Sequence, residues 1–81
     1  MADIRLYITT TEKQADVILG HMTDAFEDEG YAIATMEIDE KNDIWEASLY
    51  LMLDEEEEMQ PRFADLIETH MPGTKIEREV I

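Results

Sequence analysis

Apolar and polar residues alternate strictly over residues 3–9. Ile4, Leu6 and Ile8 share one face, and Arg5, Tyr7 and Thr9 share the other. Period two with β-branched and aromatic residues predicts a half-buried strand. Thr9-Thr10-Thr11 ends it, and Thr11 with Gln14 has capping-box spacing, in which the hydroxyl accepts an orphan backbone N–H. The period then changes. Ala15, Ile18, Leu19, Met22, Ala25 and Phe26 recur at helical spacing and predict one apolar stripe on a helix over 11–29. Gly30 stands where a left-handed residue closes such a helix.

Alternation returns over 31–39, with Ala32, Ala34, Met36 and Ile38 on one side and Tyr31, Ile33, Thr35, Glu37 and Asp39 on the other. Glu40-Lys41-Asn42-Asp43 is a polar turn. Residues 44–53 form the clearest strand: Trp45, Ala47, Leu49, Leu51 and Leu53 face one way, and Ile44, Glu46, Ser48, Tyr50 and Met52 the other. Two strands joined by a short polar turn predict a hairpin. Five acids follow, Asp54 to Glu58, with Asp54 and Glu57 at capping-box spacing and the negative charge suited to a helix N-terminus. Met59, Phe63, Leu66, Ile67 and Met71 make a second amphipathic stripe. Pro61 has no N–H to donate, so it either belongs to that helix's first turn or kinks it. The regular helix is expected from Pro61 or slightly earlier to about His70, with Pro72-Gly73 breaking it. Residues 74–80 supply a last strand, Ile76 and Val80 inward.

The order β-α-β-β-α-β predicts the α+β class and a ferredoxin-like βαββαβ arrangement: a four-stranded antiparallel sheet with two helices on one face. The other face is left uncovered. By strand parity it displays Arg5, Tyr7, Tyr31, Ile33, Thr35, Glu37, Asp39, Ile44, Glu46, Ser48 and Tyr50, including all three tyrosines. Tyrosine is enriched in protein interfaces and carboxylates select a basic partner. Arg5, Tyr7, Tyr31, Ile33, Glu37, Glu46 and Tyr50 are therefore the candidate protein-binding residues. Self-association or a plain solvated face are the competing readings of the same surface.

Composition narrows the partner. The 81 residues suffice for one domain, 1–81, and carry a formal net charge of −15 from 6 Lys and Arg against 21 Asp and Glu. Such a surface repels phosphate backbones and anionic membranes, which argues against direct nucleic-acid or membrane binding, and it steers in a basic partner. The same charge also serves simply to keep a small domain soluble. There is no cysteine, hence no disulfide and no thiolate metal site. No apolar run approaches the ~20 residues of a membrane span. The start Met1-Ala2-Asp3-Ile4-Arg5 lacks the basic and apolar regions of a secretory leader, so a cytoplasmic location is expected.

No residue pattern announces chemistry. Gly20, Gly30 and Gly73 belong to no phosphate-binding loop, so no catalytic or cofactor-binding residue is expected in this chain. His21 and His70 are read as surface or boundary residues; a two-histidine metal site would need both on facing surfaces plus a carboxylate. A calcium loop starting at Asp39 fails at Ile44, where glycine is required, and at Tyr50, where glutamate is required. No metal site is expected.

The stretches Ile4-Arg5-Leu6-Tyr7-Ile8-Thr9-Thr10-Thr11, Phe26 to Thr35, Glu37-Ile38-Asp39-Glu40, Asp43-Ile44-Trp45-Glu46 and Glu77-Arg78-Glu79-Val80-Ile81 resemble the N-terminal region of PrmA-type methyltransferases, particularly alphaproteobacterial ones. That family methylates protein number eleven of the large ribosomal subunit. The resemblance implies a ferredoxin-like substrate-recognition domain excised from a longer chain, with a basic ribosomal protein as partner. It also implies a separate, absent domain that binds S-adenosylmethionine and methylates protein amines, lysine included. A monomer that is not catalytic by itself is then expected. The alternative is a stand-alone ferredoxin-like module that senses a small ligand or assembles through its sheet face.

Overall fold

Strand β1 (Asp3–Thr10) leads through Thr11 into helix α1 (Glu12–Ala25), then strands β2 (Ala32–Asp39) and β3 (Ile44–Met52), helix α2 (Glu56–His70) and strand β4 (Glu77–Val80). The structure is a computed structural model that describes residues 3–81. The chain start read above against a leader falls partly on Met1 and Ala2, which lie outside the described residues. The sheet order is β2-β3-β1-β4 with every neighbouring pair antiparallel, the ferredoxin-like order expected of the sequence. Ile4, Leu6 and Ile8 of β1 and Ala47, Leu49 and Leu51 of β3 are buried against Ile18 and Met22 of α1 and Met59, Phe63 and Ile67 of α2. The two central strands thus supply the core face, and both helices cover it.

Local chemistry explains where the elements start and stop. The Thr11 side chain accepts the Gln14 N–H at 3.3 Å, as the capping spacing predicts, but the Gln14 side chain bonds the Thr10 hydroxyl instead of reaching back to Thr11. Helix α1 ends at Ala25, four residues short of the expected 11–29. Phe26 leaves the helical conformation at φ −123°, its ring enters the core, and Glu27–Glu29 tighten into a 3₁₀ turn. Gly30 then closes the segment at φ 92°, a left-handed conformation that glycine adopts without steric cost. Helix α2 begins at Glu56, earlier than Pro61, and Pro61 lies inside it. The helix start is set upstream: Leu53–Glu55 form a 3₁₀ turn, and the Glu55 carboxylate accepts the Met52 N–H at 2.9 Å. The capping acid is therefore Glu55, not Glu57. Leu53, read as the last inward residue of β3, sits in that turn and is exposed. Val80 is opposite the buried Ile4 but remains 55% exposed, because β4 is the sheet's short edge strand.

The largest correction concerns β2. Its register places Ile33 opposite Leu49, Thr35 opposite Ala47 and Glu37 opposite Trp45 on the helix side of the sheet. Ala32, Ala34 and Met36 lie opposite Tyr50, Ser48 and Glu46 on the open side. The parity expected for this strand is inverted, and a register irregularity between Glu37 and Asp39 shifts the pairing again near its end.

The β2–β3 turn also clamps the start of α1. Asp43 accepts the Glu12 N–H at 3.0 Å and itself sits at φ 54°, a left-handed position unusual for a residue with a side chain. Asp43→Ala is expected to lose about 1–2 kcal/mol in urea denaturation, since it removes the acceptor and keeps the strained backbone. Asp43→Gly should lose less, because glycine relieves the φ, and Asp43→Asn should be near neutral. Equal losses for alanine and asparagine would show that the carboxamide-replaceable contact is not the cause.

Candidate functional site

The uncovered face centres on Arg5, in the middle of β1. Its guanidinium donates to Glu46 of β3 at 2.7 Å, to the Ser48 hydroxyl at 3.0 Å and to Glu79 of β4 at 2.9 Å. It also lies 3.8 Å from the centre of the Tyr7 ring, an arrangement favourable to cation–π attraction. The Arg5 side chain is only 12% exposed. Desolvation works against its charge, but the hydrogen bonds it donates to Glu46 and Glu79, with the attraction of those carboxylates, together outweigh it and hold the guanidinium firmly protonated. Arg5 is thus a clamp across three strands rather than a free hand for a partner.

Of the residues expected on this face, Arg5, Tyr7, Glu46 and Tyr50 are there. Cross-strand pairing sets Arg5 against Tyr50 and Tyr7 against Ser48. Tyr31, Ile33 and Glu37 are not. Tyr31 and Ile33 pack against the core on the helix side, and Glu37 faces the same way, opposite Trp45. Ala32, Ala34 and Met36 replace them, leaving a smaller, flatter surface next to β3 on which Met36 is 53% exposed.

The other two arginines and Lys75 are also committed. Arg62 donates to both oxygens of Glu29, at 3.1 and 2.7 Å, and to the Ala25 carbonyl at 3.1 Å, which satisfies the C-terminal end of α1. That pair holds the Glu29 carboxyl below its ordinary value, chiefly through the hydrogen bond. Arg78 of β4 bonds Glu56 in the first turn of α2, lowering that carboxyl in the same way. Lys75 lies 3.3 Å from Glu77. Glu29, Glu46, Glu56, Glu77 and Glu79 therefore take part in ion pairs; among the described residues the other Asp and Glu side chains find no cationic partner, and the surface stays strongly anionic.

The topology sorts this charge. The end of the sheet where β1 begins and β3 ends gathers Asp3, the acids of Glu27–Glu29 and those of Asp54–Glu58. Lys13, Lys41 and Lys75 all fall at the opposite end, beside the α1 start, the β2–β3 turn and the approach to β4. At the acidic end a groove of about 360 Å³ opens between Tyr31, Tyr50, Asp3, Glu29 and Glu55. The Tyr31 hydroxyl is held above its ordinary value, first by burial and then by the carboxylates of Glu55, Glu58 and Glu29 around it. Sequence reasoning missed the three acids of this groove because they come from three separate segments, which only the folded topology brings together.

His21 and His70 are not independent surface residues. Their rings stack across α1 and α2 with centroids 3.6 Å apart and planes 12° from parallel. Among the described residues no group of three or more His, Asp or Glu side chains is arranged to hold a metal ion.

No protein-family model matches the chain. Over all 81 residues it is 58% identical to a ribosomal protein L11 methyltransferase of Sinorhizobium fredii, 56% to one of Rhizobium meliloti and 54% to one of Agrobacterium fabrum. The chain spans 28% of the length of each of these relatives, in their N-terminal region, as the resemblance read from the sequence implies. Two solved structures share its fold. The designed protein Foldit4 superposes with a TM-score of 0.73 at 10% identity, covering 99% of this chain and 94% of that one. LarC2, the C-terminal domain of a cyclometallase, gives 0.64 at 11% identity, covering 100% and 55%. At these identities they speak for the fold alone.

Proposed function

We propose that this chain, similar along its whole length to the N-terminal part of ribosomal protein L11 methyltransferases, is a substrate-recognition domain that holds a basic ribosomal protein while a separate domain transfers methyl groups to its amines. The observation that carries the reading is identity of 44–58% over all 81 residues to proteins of that name. The anionic surface agrees with it, since opposite potentials steer two proteins together and fix their register. A remote contact of this kind raises the local concentration of the target and orients it for reaction elsewhere.

S-adenosylmethionine is the methyl donor this reading requires, and the residues present do not fit it. Gly20 lies within α1, Gly30 precedes β2 and Gly73 follows α2, so none stands in a strand-to-helix turn of the kind that cradles such a cofactor. The chain's contribution is binding and orientation, as a monomer in the cytoplasm, without direct contact to nucleic acid.

Titration calorimetry of the chain with purified ribosomal protein L11 at about 0.1 M salt, where charges act over ~10 Å, tests this. Saturable binding that weakens as salt rises is the expected result. No binding, together with full methylation by an enzyme lacking residues 1–81, would overturn it. A second reading draws on the exposed Met36 and Ile38 of edge strand β2, which suit self-association. A light-scattering mass that stays dimeric on dilution would favour that reading over recognition.

A further inference from the structure

The groove at the acidic end has the composition of a site for a single cationic side chain. Its volume of about 360 Å³ is at the small end of the roughly 300–1,000 Å³ usual for ligand pockets. Two tyrosines line it, and aromatic faces attract an ammonium or guanidinium while accepting its aliphatic stem. The carboxylates come from three directions: Asp3 at the start of β1, Glu29 at the end of the 3₁₀ turn and Glu55 at the entry to α2. Among the described residues the cation bonded to these acids is Arg62, and both of its contacts to them go to Glu29. Glu55 uses one oxygen to accept the Met52 N–H. Among the described residues Asp3 is bonded to no cation and stays open to a visiting donor, and Glu55 stands beside the Tyr31 hydroxyl, which burial first and then the surrounding carboxylates hold above its ordinary value.

The geometry points to this groove, rather than the centre of the open sheet face, as the place where a lysine or arginine side chain of the basic partner docks. The carboxylates at the sheet centre are already engaged, since Arg5 bonds both Glu46 and Glu79 as well as the Ser48 hydroxyl. In the groove Asp3 and Glu55 are paired with no cation among the described residues and lie beside aromatic surface, and the lysines of this chain lie at the far end of the fold. This assignment rests on the recognition reading above and names its contact point.

Two measurements separate the groove from that reading. In the first, an isotope-labelled chain is titrated with tetralysine and followed by amide NMR shifts. Shifts should concentrate at Gly30–Ala32 and Tyr50–Met52. The double variant Asp3→Asn with Glu55→Gln, which preserves the acceptor for Met52, should weaken binding about tenfold, a difference worth roughly 1.4 kcal/mol. The charge-matched control Asp16→Asn with Asp65→Asn, at exposed helix positions outside the groove, should stay within about twofold of the parent. Shifts scattered over the whole acidic surface, or equal losses in both variants, overturn the groove. In the second, the same proteins are titrated with ribosomal protein L11. Loss of that binding in the groove variant alone supports docking there. Binding of L11 that the groove variant leaves intact overturns the groove as its contact point while the recognition reading stands. Tetralysine binding at the groove with no L11 binding by the parent chain keeps the cation site and removes the partner.

Discussion

Phe63→Ala should lose roughly 3–5 kcal/mol of folding stability, the largest effect of any single truncation in this domain. Phe63 is fully buried in the middle of α2, with its ring centre 6.3 Å from that of Phe26 and the planes tilted by 50°. That geometry is within the favourable range for aromatic pairs. Phe26 is the residue that leaves α1 and turns the chain toward β2, so the pair joins both helices at the point where the first one ends. Truncation removes the ring's contacts and leaves a cavity that the sheet on one side and two helices on the other cannot readily collapse. A domain of this size has about 5–15 kcal/mol in total, and each kcal/mol shifts the midpoint by roughly 4–8 °C, so thermal denaturation should show a fall of tens of degrees. Phe63→Leu should lose much less, because an apolar side chain still fills most of the space. A loss below about 1 kcal/mol for alanine would mean the two helices do not depend on this contact.

Phe63 was legible in the sequence, and so was most of the core. Strands β1 and β3 lie in the middle of the sheet, where one face is buried and the other is polar, and their alternation is unambiguous: Ile4, Leu6, Ile8, Ala47, Leu49 and Leu51 are all buried as expected. Strand β2 is at the edge, and its two sets were balanced: two alanines, Met36 and Ile38 against Tyr31, Ile33 and Thr35. Small residues carry little transfer energy, so counting apolar positions misjudged the side. What decides it is volume, since Ile33 opposite Leu49 packs against the core while Ala32 and Ala34 suit an uncovered face. Three candidate site residues, Tyr31, Ile33 and Glu37, moved to the other side for that reason alone.

Other features required the third dimension. Pro61 forbids one backbone bond but does not say how many helical residues precede it; the Glu55 carboxylate does that from outside the helix. The stacking of His21 on His70 depends on the angle and spacing between the two helices that carry them, about which periodicity is silent. The acidic groove is the same kind of case. The pentad Asp54 to Glu58 stood out as a charge run, yet only one of its members, Glu55, lines the groove, and it does so beside Asp3 and Glu29, which had no signal of their own.

Arg5→Met should lose about 2–3 kcal/mol, somewhat below the roughly 3–5 kcal/mol for breaking a fully buried pair, because Arg5 and Glu46 keep 12% and 15% of their side-chain exposure. Methionine preserves the apolar stem over Tyr7 and removes only the charge and the donors. Glu46 is then left as a largely desolvated carboxylate without its cation, and the Ser48 hydroxyl, in a residue 4% exposed, loses its donor. Glu79 is 52% exposed and can return to water, so its loss adds little. The asymmetry gives a sharper test than the single variant. If the uncompensated charge of Glu46 is the cause, Arg5→Met combined with Glu46→Met should be more stable than Arg5→Met alone, with a coupling of 1 kcal/mol or more in the double-mutant cycle, an amount on the order expected for groups in contact. Arg5→Lys should fall between parent and Met, because an ammonium keeps the charge but not the planar fork that reaches Glu46, Ser48 and Glu79 together. Additive losses across the cycle would show that Arg5 acts through its stem. Guanidinium is ionic and screens charge, so urea is the denaturant for these measurements. The same cycle bears on the proposed recognition: Arg5, which holds β1, β3 and β4 in register, should weaken partner binding only as far as it unfolds the domain, whereas the docking groove proposed above predicts a loss of binding at constant stability when its acids are replaced.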